Sequence, residues 1–188
     1  MDSYPGKRTL DLAVAGTACL LFAPLAAGVS VASWLEDRGP PIFRQARVGL
    51  QRQAFTLLKF RSMRNEEVTR IGQWLRRTGI DELPQFINVW RGEMSVVGPR
   101  ALTAPDVKRL GWDRPDHDWR FAARPGITGL AQLRAGRGAR ASARLDQLYL
   151  RRQSLTLDLQ LIALSFAVNV LGKRRVRRLI RASAASGT

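Results

Sequence analysis

The chain has 188 residues, enough for one moderate domain or a domain with an appendage, and carries 31 Lys+Arg against 15 Asp+Glu. The resulting formal charge of +16 points to an acidic partner: nucleic acid, an anionic membrane leaflet or a phosphorylated substrate. One cysteine (Cys19) and one histidine (His117) exclude an intramolecular disulfide, a multi-cysteine or His-rich metal site and a multi-histidine relay, so any chemistry must come from carboxylates, basic groups and a borrowed ion.

Lys7 and Arg8 precede Asp11, and residues 12–35 then carry no charge. As a helix this run reaches about 36 Å, more than the roughly 30 Å hydrocarbon core of a bilayer. A cleaved signal peptide has a similar basic start, but this run is too long, and Trp34 with Glu36-Asp37-Arg38 is a poor small-residue exit. The segment therefore reads as a retained membrane anchor. Pro24 in its middle removes one backbone hydrogen bond and kinks a helix. Basic residues flank both ends, Lys7 and Arg8 before, Arg38, Arg44 and Arg47 after, which favours both ends on the cytoplasmic side. A re-entrant helix–break–helix hairpin satisfies both features; an ordinary span kinked at proline is the competing reading.

Beyond Gly39-Pro40-Pro41 the character turns soluble. Residues 42–48 and 54–60 are β-leaning runs around Gly49, a predicted hairpin. Residues 66–77 put Val68, Ile71, Trp74 and Leu75 on one helical face and deliver Arg76 close to Asp81. Leu83, Phe86, Ile87 and Trp90 predict an amphipathic helix over 83–91. Pro84 is tolerated only in its first turn, so Asp81 and Glu82 fall at or just before the helix start. There the pair has two readings. Asp81 caps the helix and Glu82 sits in its acidic first turn. Alternatively, two carboxylates at the positive helix end bind a divalent cation, attack an electrophilic phosphorus, or act as acid and base.

Residues 92–100 read as turn, short strand and turn, and 102–120 as mixed and polar. Asp113, Asp116, His117 and Asp118 crowd around Pro115 without metal-ligand spacing, so they read as a solvated loop with His117 at the surface. Arg124-Pro125-Gly126-Ile127-Thr128-Gly129 reads as a tight turn whose backbone N–H groups are able to face an anion. No P-loop or dinucleotide fingerprint occurs. Arg134, Arg137, Arg140 and Arg144 among Gly and Ala suggest a mobile basic segment. Residues 155–171 are apolar but interrupted by Asp158, Gln160 and Asn169, better suited to lying against the core or the interface than to crossing. Residues 173–181 hold Lys173, Arg174, Arg175, Arg177, Arg178 and Arg181, fit for an anionic leaflet or an ordinary basic tail. The fold class is α+β: a small, mostly helical domain with a short β-hairpin over residues 39–172, an anchor over 1–38 and a basic tail over 173–188.

Several stretches in order carry a family resemblance: Lys7-Arg8-x-x-Asp11, Phe43-x-Gln45-x-Arg47-x-Gly49, Lys59-Phe60-Arg61-Ser62-Met63, Asp81-Glu82-Leu83-Pro84-Gln85, Asn88-Val89, Gly92-Glu93-Met94-Ser95, Gly98-Pro99-Arg100 and the Arg124–Gly129 segment. Together they resemble the bacterial sugar transferases, the monotopic polyprenyl-phosphate phosphoglycosyl transferases, in their minimal catalytic unit. The resemblance implies a re-entrant anchor broken at Pro24, with a catalytic domain on the cytoplasmic face of the bacterial inner membrane. It implies transfer of a sugar-1-phosphate from a UDP-sugar to polyprenyl (undecaprenyl) phosphate, releasing UMP, with Mg²⁺ as cofactor. This would be the first membrane step of glycan assembly, its product passing to downstream glycosyltransferases. By the same resemblance Asp81 is the nucleophile, forming a covalent phosphosugar intermediate, and Glu82 holds the metal with it or assists the acceptor. Arg76 and Arg100 match phosphate-binding positions; Lys59 and Arg124, in two further matching motifs, are assigned to the substrate with them.

The sequence departs from the family pattern at Ala23, where serine commonly precedes the anchor proline, at Glu93 in place of aspartate, and at Ala101 in place of proline. Two other classes compete. A nucleic-acid-binding protein would use the positive charge and stack Trp and Arg on bases, but the uncharged anchor offers such a ligand nothing. A non-catalytic membrane scaffold would have no use for the intact Asp81-Glu82 pair.

Overall fold

The computed structural model describes residues 4–134 and 138–172. Helix α1 (Lys7–Asp37) opens the chain and is helical throughout, Pro24 included. The two helices expected to meet at Pro24 are therefore one, since a proline removes a single N–H and bends a helix without having to end it. Among the described residues α1 is the one helix long and apolar enough to cross a membrane, and only 11% of its most apolar window is buried. Leu20, Leu21, Val31 and Leu35 stand exposed along it. A core helix of a soluble protein would be covered instead.

After Gly39 come β1 (Ile42–Val48) and β2 (Ala54–Phe60), an antiparallel hairpin as its sequence predicts, in register from Ile42↔Phe60 to Val48↔Ala54. The helix expected over 66–77 begins later. Met63–Arg64 (β3) and Glu67–Val68 (β4) pair as a miniature hairpin, with Asn65 and Glu66 at positive φ in the turn. Thr69 then caps α2 (Arg70–Thr78), its hydroxyl accepting from the Gly72 N–H.

A 3₁₀ turn over Ile80–Glu82 leads to α3 (Gln85–Arg91), which ends at Gly92 in the left-handed region. The short strand β5 (Ser95–Val97) follows, buried along its whole length. The segment read as mixed and polar contains α4 (Ala104–Arg109), capped by Thr103, and a 3₁₀ turn over Pro115–Phe121. There Asp118 pairs with Arg52 and the half-buried His117 ring stacks on Trp112.

Strand β6 (Gly126–Thr128) pairs in parallel with β5, and α5 (Leu130–Arg134) follows it. The segment read as a mobile basic one is mostly α6 (Ala139–Arg152), which carries Arg140 and Arg144; Arg137 lies outside the described residues. Its Arg and Ala residues are strong helix formers, and Asp146 and Tyr149 give it a buried face. Helix α7 (Leu155–Leu171), capped by Ser154, lies against the core through the buried Leu161. The tail expected over 173–188 lies outside the described residues.

β5 is the centre of the packing. Val96 and Val97 share one cluster with Ala15 of α1, Leu57 of β2, Val89 of α3, Tyr149 of α6 and Leu161 of α7. A second cluster joins Val29 of α1 to Phe60 and Leu75, with Ile80 and Leu83 against it, so the C-terminal half of α1 braces the turn that carries Asp81 and Glu82.

Polar ties hold both ends of α1 to the same body. Near its start the buried Lys7 ammonium lies 2.6 Å from Asp158 and 3.2 Å from Asp11. Asp11 also accepts from Ser95 Oγ and the Val96 N–H, and Asp158 from the Tyr4 and Tyr149 hydroxyls. Arg8 donates to the carbonyls of Val89 and Trp90 at the end of α3. At the far end Asp37 pairs with Arg61, and Glu36 accepts from the Arg70 and Ile71 N–H groups at the start of α2.

Candidate active site

Gly79 closes α2 at φ 74°, a left-handed conformation that favours glycine, and the reversal aims the next three residues as a separate 3₁₀ turn. Neither carboxylate caps a helix: Pro84 occupies the cap position of α3 and no side chain bonds there. The capping reading is therefore set aside. With only seven residues, α3 also contributes little dipole, so the side chains around the pair dominate its electrostatics.

Lys59 reaches the pair from β2, its ammonium 2.8 Å from Glu82 Oε1 and 4.0 Å from Asp81 Oδ2. The Asp81 side chain keeps 14% of its surface exposed, against 36% for Glu82. Burial pushes the Asp81 carboxyl above its ordinary value, with Glu82 acting in the same direction, while Lys59 and Arg76 oppose them. Two cations thus act on a partly desolvated carboxylate, an arrangement suited to a nucleophile that must meet an anion. Arg76 is steadied by donating from Nε to Ser62 Oγ at 2.9 Å.

Beside the pair lies a small pocket, open to solvent, that Glu82 helps to line. Its walls come from three places. Arg47, Leu57 and Lys59 project from one face of the hairpin, as the register Gln45↔Leu57 and Arg47↔Phe55 requires. Arg100, Ala101, Gly126 and Ile127 come from the β5–β6 side, and Glu82 with the buried Gln85 from the turn and α3. A close approach of β5 and β6 shapes that second wall: a Cβ on Gly126 would lie 2.1 Å from the Gly98 nitrogen.

Of the residues expected to act together, Asp81, Glu82, Lys59 and Arg76 form one electrostatic group, and Lys59, Glu82 and Arg100 share the cavity. Arg124 is placed differently. Its Nε donates to the Gly92 carbonyl at 2.8 Å, at the end of α3, and it is not part of the cavity wall. The segment read as an anion-facing turn is largely strand β6, and the Gly126 N–H is engaged by the Pro99 carbonyl at 2.8 Å. Pro24 sits on the exposed middle of α1. Arg47 and Gln85 line the cavity although the sequence marks Arg47 only as a flanking charge and motif member and Gln85 only as a motif member; the hairpin register brings Arg47 there.

The model of the bacterial sugar transferase family matches residues 3–172. The chain is 39% identical over 177 residues to a UDP-glucose:undecaprenyl-phosphate glucose-1-phosphate transferase of Caulobacter vibrioides, an alignment covering 83% of this chain and 66% of that protein. It is 38% identical over 182 residues to the exopolysaccharide production protein PSS of Rhizobium leguminosarum bv. phaseoli, covering 83% of this chain and 90% of that one. A UDP-N-acetylgalactosamine-undecaprenyl-phosphate N-acetylgalactosaminephosphotransferase of Aeromonas hydrophila is 38% identical over 175 residues, covering 83% of this chain and 41% of its own length. The chain thus spans from about two-fifths to nine-tenths of these relatives. With the match to the family model running through the apolar helix α1, the Asp81-Glu82 turn and α7, this chain belongs to the bacterial sugar transferase family.

Proposed function

We propose that this protein transfers a sugar-1-phosphate from a UDP-sugar to undecaprenyl phosphate, releasing UMP, at the cytoplasmic face of the bacterial inner membrane. The observation that carries the reading is the Asp81-Glu82 turn, flanked by Lys59 and Arg76, beside a cavity rich in cations and braced by an apolar helix. The names of the relatives supply the substrate classes, and the difference between the Caulobacter and Aeromonas donors leaves the sugar unassigned.

In the first half-reaction an Asp81 carboxylate oxygen attacks the sugar-bearing phosphorus. A P–O bond forms to Asp81, the bond to the UMP oxygen breaks, and UMP leaves with the electron pair. In the second, an oxygen of undecaprenyl phosphate attacks the same phosphorus, the P–O bond to Asp81 breaks, and the free carboxylate returns. Lys59 and Arg76 offset the repulsion between a carboxylate and a phosphate, and Lys59 holds Glu82 at a fixed distance from the reacting residue. Asp81 and Glu82 are the residues that would hold Mg²⁺. The donor set suits it in kind: hard carboxylate oxygens, which Mg²⁺ takes together with water and substrate phosphate. When bound, the ion neutralises diphosphate charge.

The anchor gives proximity to a lipid acceptor. A helix of 31 residues is about 46 Å long, yet Lys7 at one end and Asp37 at the other are tied to one folded body. Both ends being tied to one body supports the reading that α1 meets the membrane from one face. The test is UMP release over a panel of UDP-sugars with undecaprenyl phosphate, with Mg²⁺ and with chelator. At least one donor should release UMP in the first condition only. Release from none, by folded protein in lipid nanodiscs, would contradict the assignment.

A further inference from the structure

The cavity beside the catalytic pair is unbalanced. Arg47, Lys59 and Arg100 line it against the single carboxylate of Glu82, which Lys59 already engages. The Arg100 guanidinium is exposed and makes no hydrogen bond or ion pair among the described residues. Arg47 is held from behind: it donates to the Ala101 carbonyl at 3.1 Å and to Gln45 Oε1 at 2.5 Å, while its Nε is buried without an acceptor. Burial first, and then the charge of Arg100, push the Arg47 guanidinium below its ordinary value; Asp106 and Glu82 oppose this. Two guanidinium groups drawn together, one with a buried N–H unsatisfied, are costly without an anion to share. The protein accepts that cost in a cavity that Lys59 and Glu82 also line.

Resting on the transferase reading, we propose that Arg47 and Arg100 clamp the nucleoside-side phosphate of the UDP-sugar, the phosphate that departs as UMP. The order of charges supports this division. Asp81 lies 4.0 Å from Lys59 and feels the charge of Arg76, and neither Asp81 nor Arg76 is part of the cavity wall, so the sugar-bearing phosphate that Asp81 attacks belongs at the Lys59 edge of the cavity. A diphosphate places its second phosphate one bridging oxygen away, inside the cavity, where the cations other than Lys59 are those of Arg47 and Arg100. Arg47, fixed by Ala101 and Gln45, is pre-oriented, so holding a phosphate costs it little further side-chain freedom. It is therefore a binding residue for the leaving group, contributed by the hairpin.

The test is equilibrium binding of UMP to the full-length chain in nanodiscs, with steady-state kinetics for donor and acceptor. Arg47→Gln should weaken UMP binding and raise the donor KM roughly 10- to 100-fold, the scale of one charge-assisted hydrogen-bonded contact, leaving the undecaprenyl phosphate KM unchanged. Arg47→Lys, which keeps the charge, should recover part of the loss. A rise in the acceptor KM alone would assign the clamp to the lipid phosphate and overturn the proposal. Wild-type UMP affinity in both variants would do the same by making Arg47 merely structural. If Arg47→Gln melts early, Arg100→Gln reads out the same clamp from the exposed side, and its unchanged UMP affinity likewise refutes it. Absence of turnover in the wild type would instead count against the transferase reading, so the two failures are separable.

Discussion

Replacing Lys7 by Met tests how the anchor is locked to the domain. The substitution keeps most of the side-chain volume and removes the ammonium from between Asp11 and Asp158, in a place where the Lys7 and Asp158 side chains are 7% and 0% exposed. Two buried carboxylates then face each other uncompensated. Removing one partner of a buried ion pair costs about 3–5 kcal/mol. The donors that remain, Ser95 Oγ and the Val96 N–H for Asp11 and two tyrosine hydroxyls for Asp158, hold the effect near the lower end. At about 2–4 °C per kcal/mol for a chain of this size, Lys7→Met should lower Tm by roughly 6–12 °C. Thermal unfolding followed by circular dichroism in detergent micelles measures this. Adding Asp158→Asn removes one of the stranded charges and should restore at least half of the loss. A Tm within about 2 °C of wild type would refute the idea that this network fixes the start of α1.

Three further substitutions probe the site and its frame. Glu82→Gln weakens the 2.8 Å contact with Lys59, and UMP release should slow by roughly 10- to 100-fold; wild-type rates would remove Glu82 from the site. Asn88→Ala strands the Leu58 N–H and the Thr56 carbonyl, which the buried amide now serves at 3.0 and 2.7 Å. It should cost about 2–4 kcal/mol in chemical denaturation, and a loss below about 1 kcal/mol would contradict the role given to that amide. Gly126→Ala puts a methyl 2.1 Å from the Gly98 nitrogen and 2.4 Å from the Thr128 carbonyl oxygen, so folded yield should collapse; a well-folded variant would show that β5 and β6 can separate there.

What was legible in the sequence is what local pattern controls. The hairpin over Ile42–Val48 and Ala54–Phe60 follows from alternating β-branched and aromatic residues around Gly49. The helix α3 and the placement of Asp81 and Glu82 just ahead of it follow from Pro84 and the spacing of Leu83, Phe86, Ile87 and Trp90, although Ile87 and Trp90 stay exposed and Val89 is the residue that is buried. The misses have local causes too. The turn at Asn65-Glu66 lacks the Asn-Gly signature that marks a tight hairpin, so β4 falls within the helix pattern read over 66–77. In α6 an Arg- and Ala-rich run reads as mobile because its buried contacts, Asp146 to Arg120 and Tyr149 to the Val97 carbonyl, are made 26 and 52 residues away.

Long-range pairing explains the rest. Asp158 reads as an interruption of an apolar helix, and only the fold reveals that it anchors Lys7 from 151 residues away. Arg47 reads as one more flanking charge until the hairpin register turns it toward Arg100. Charged groups that meet across a fold leave no periodic trace, whereas apolar faces do.

The account rests on Asp81 forming a bond to phosphorus, and intact-protein mass spectrometry tests that most directly. Wild-type protein mixed with its UDP-sugar and Mg²⁺, without undecaprenyl phosphate, and quenched in acid should gain the mass of one phosphosugar, which chases to product when acceptor is added. Asp81→Asn, folded and membrane-bound, should gain nothing. An adduct of equal yield on Asp81→Asn, or rapid turnover by wild type in which no adduct ever forms, would contradict the account.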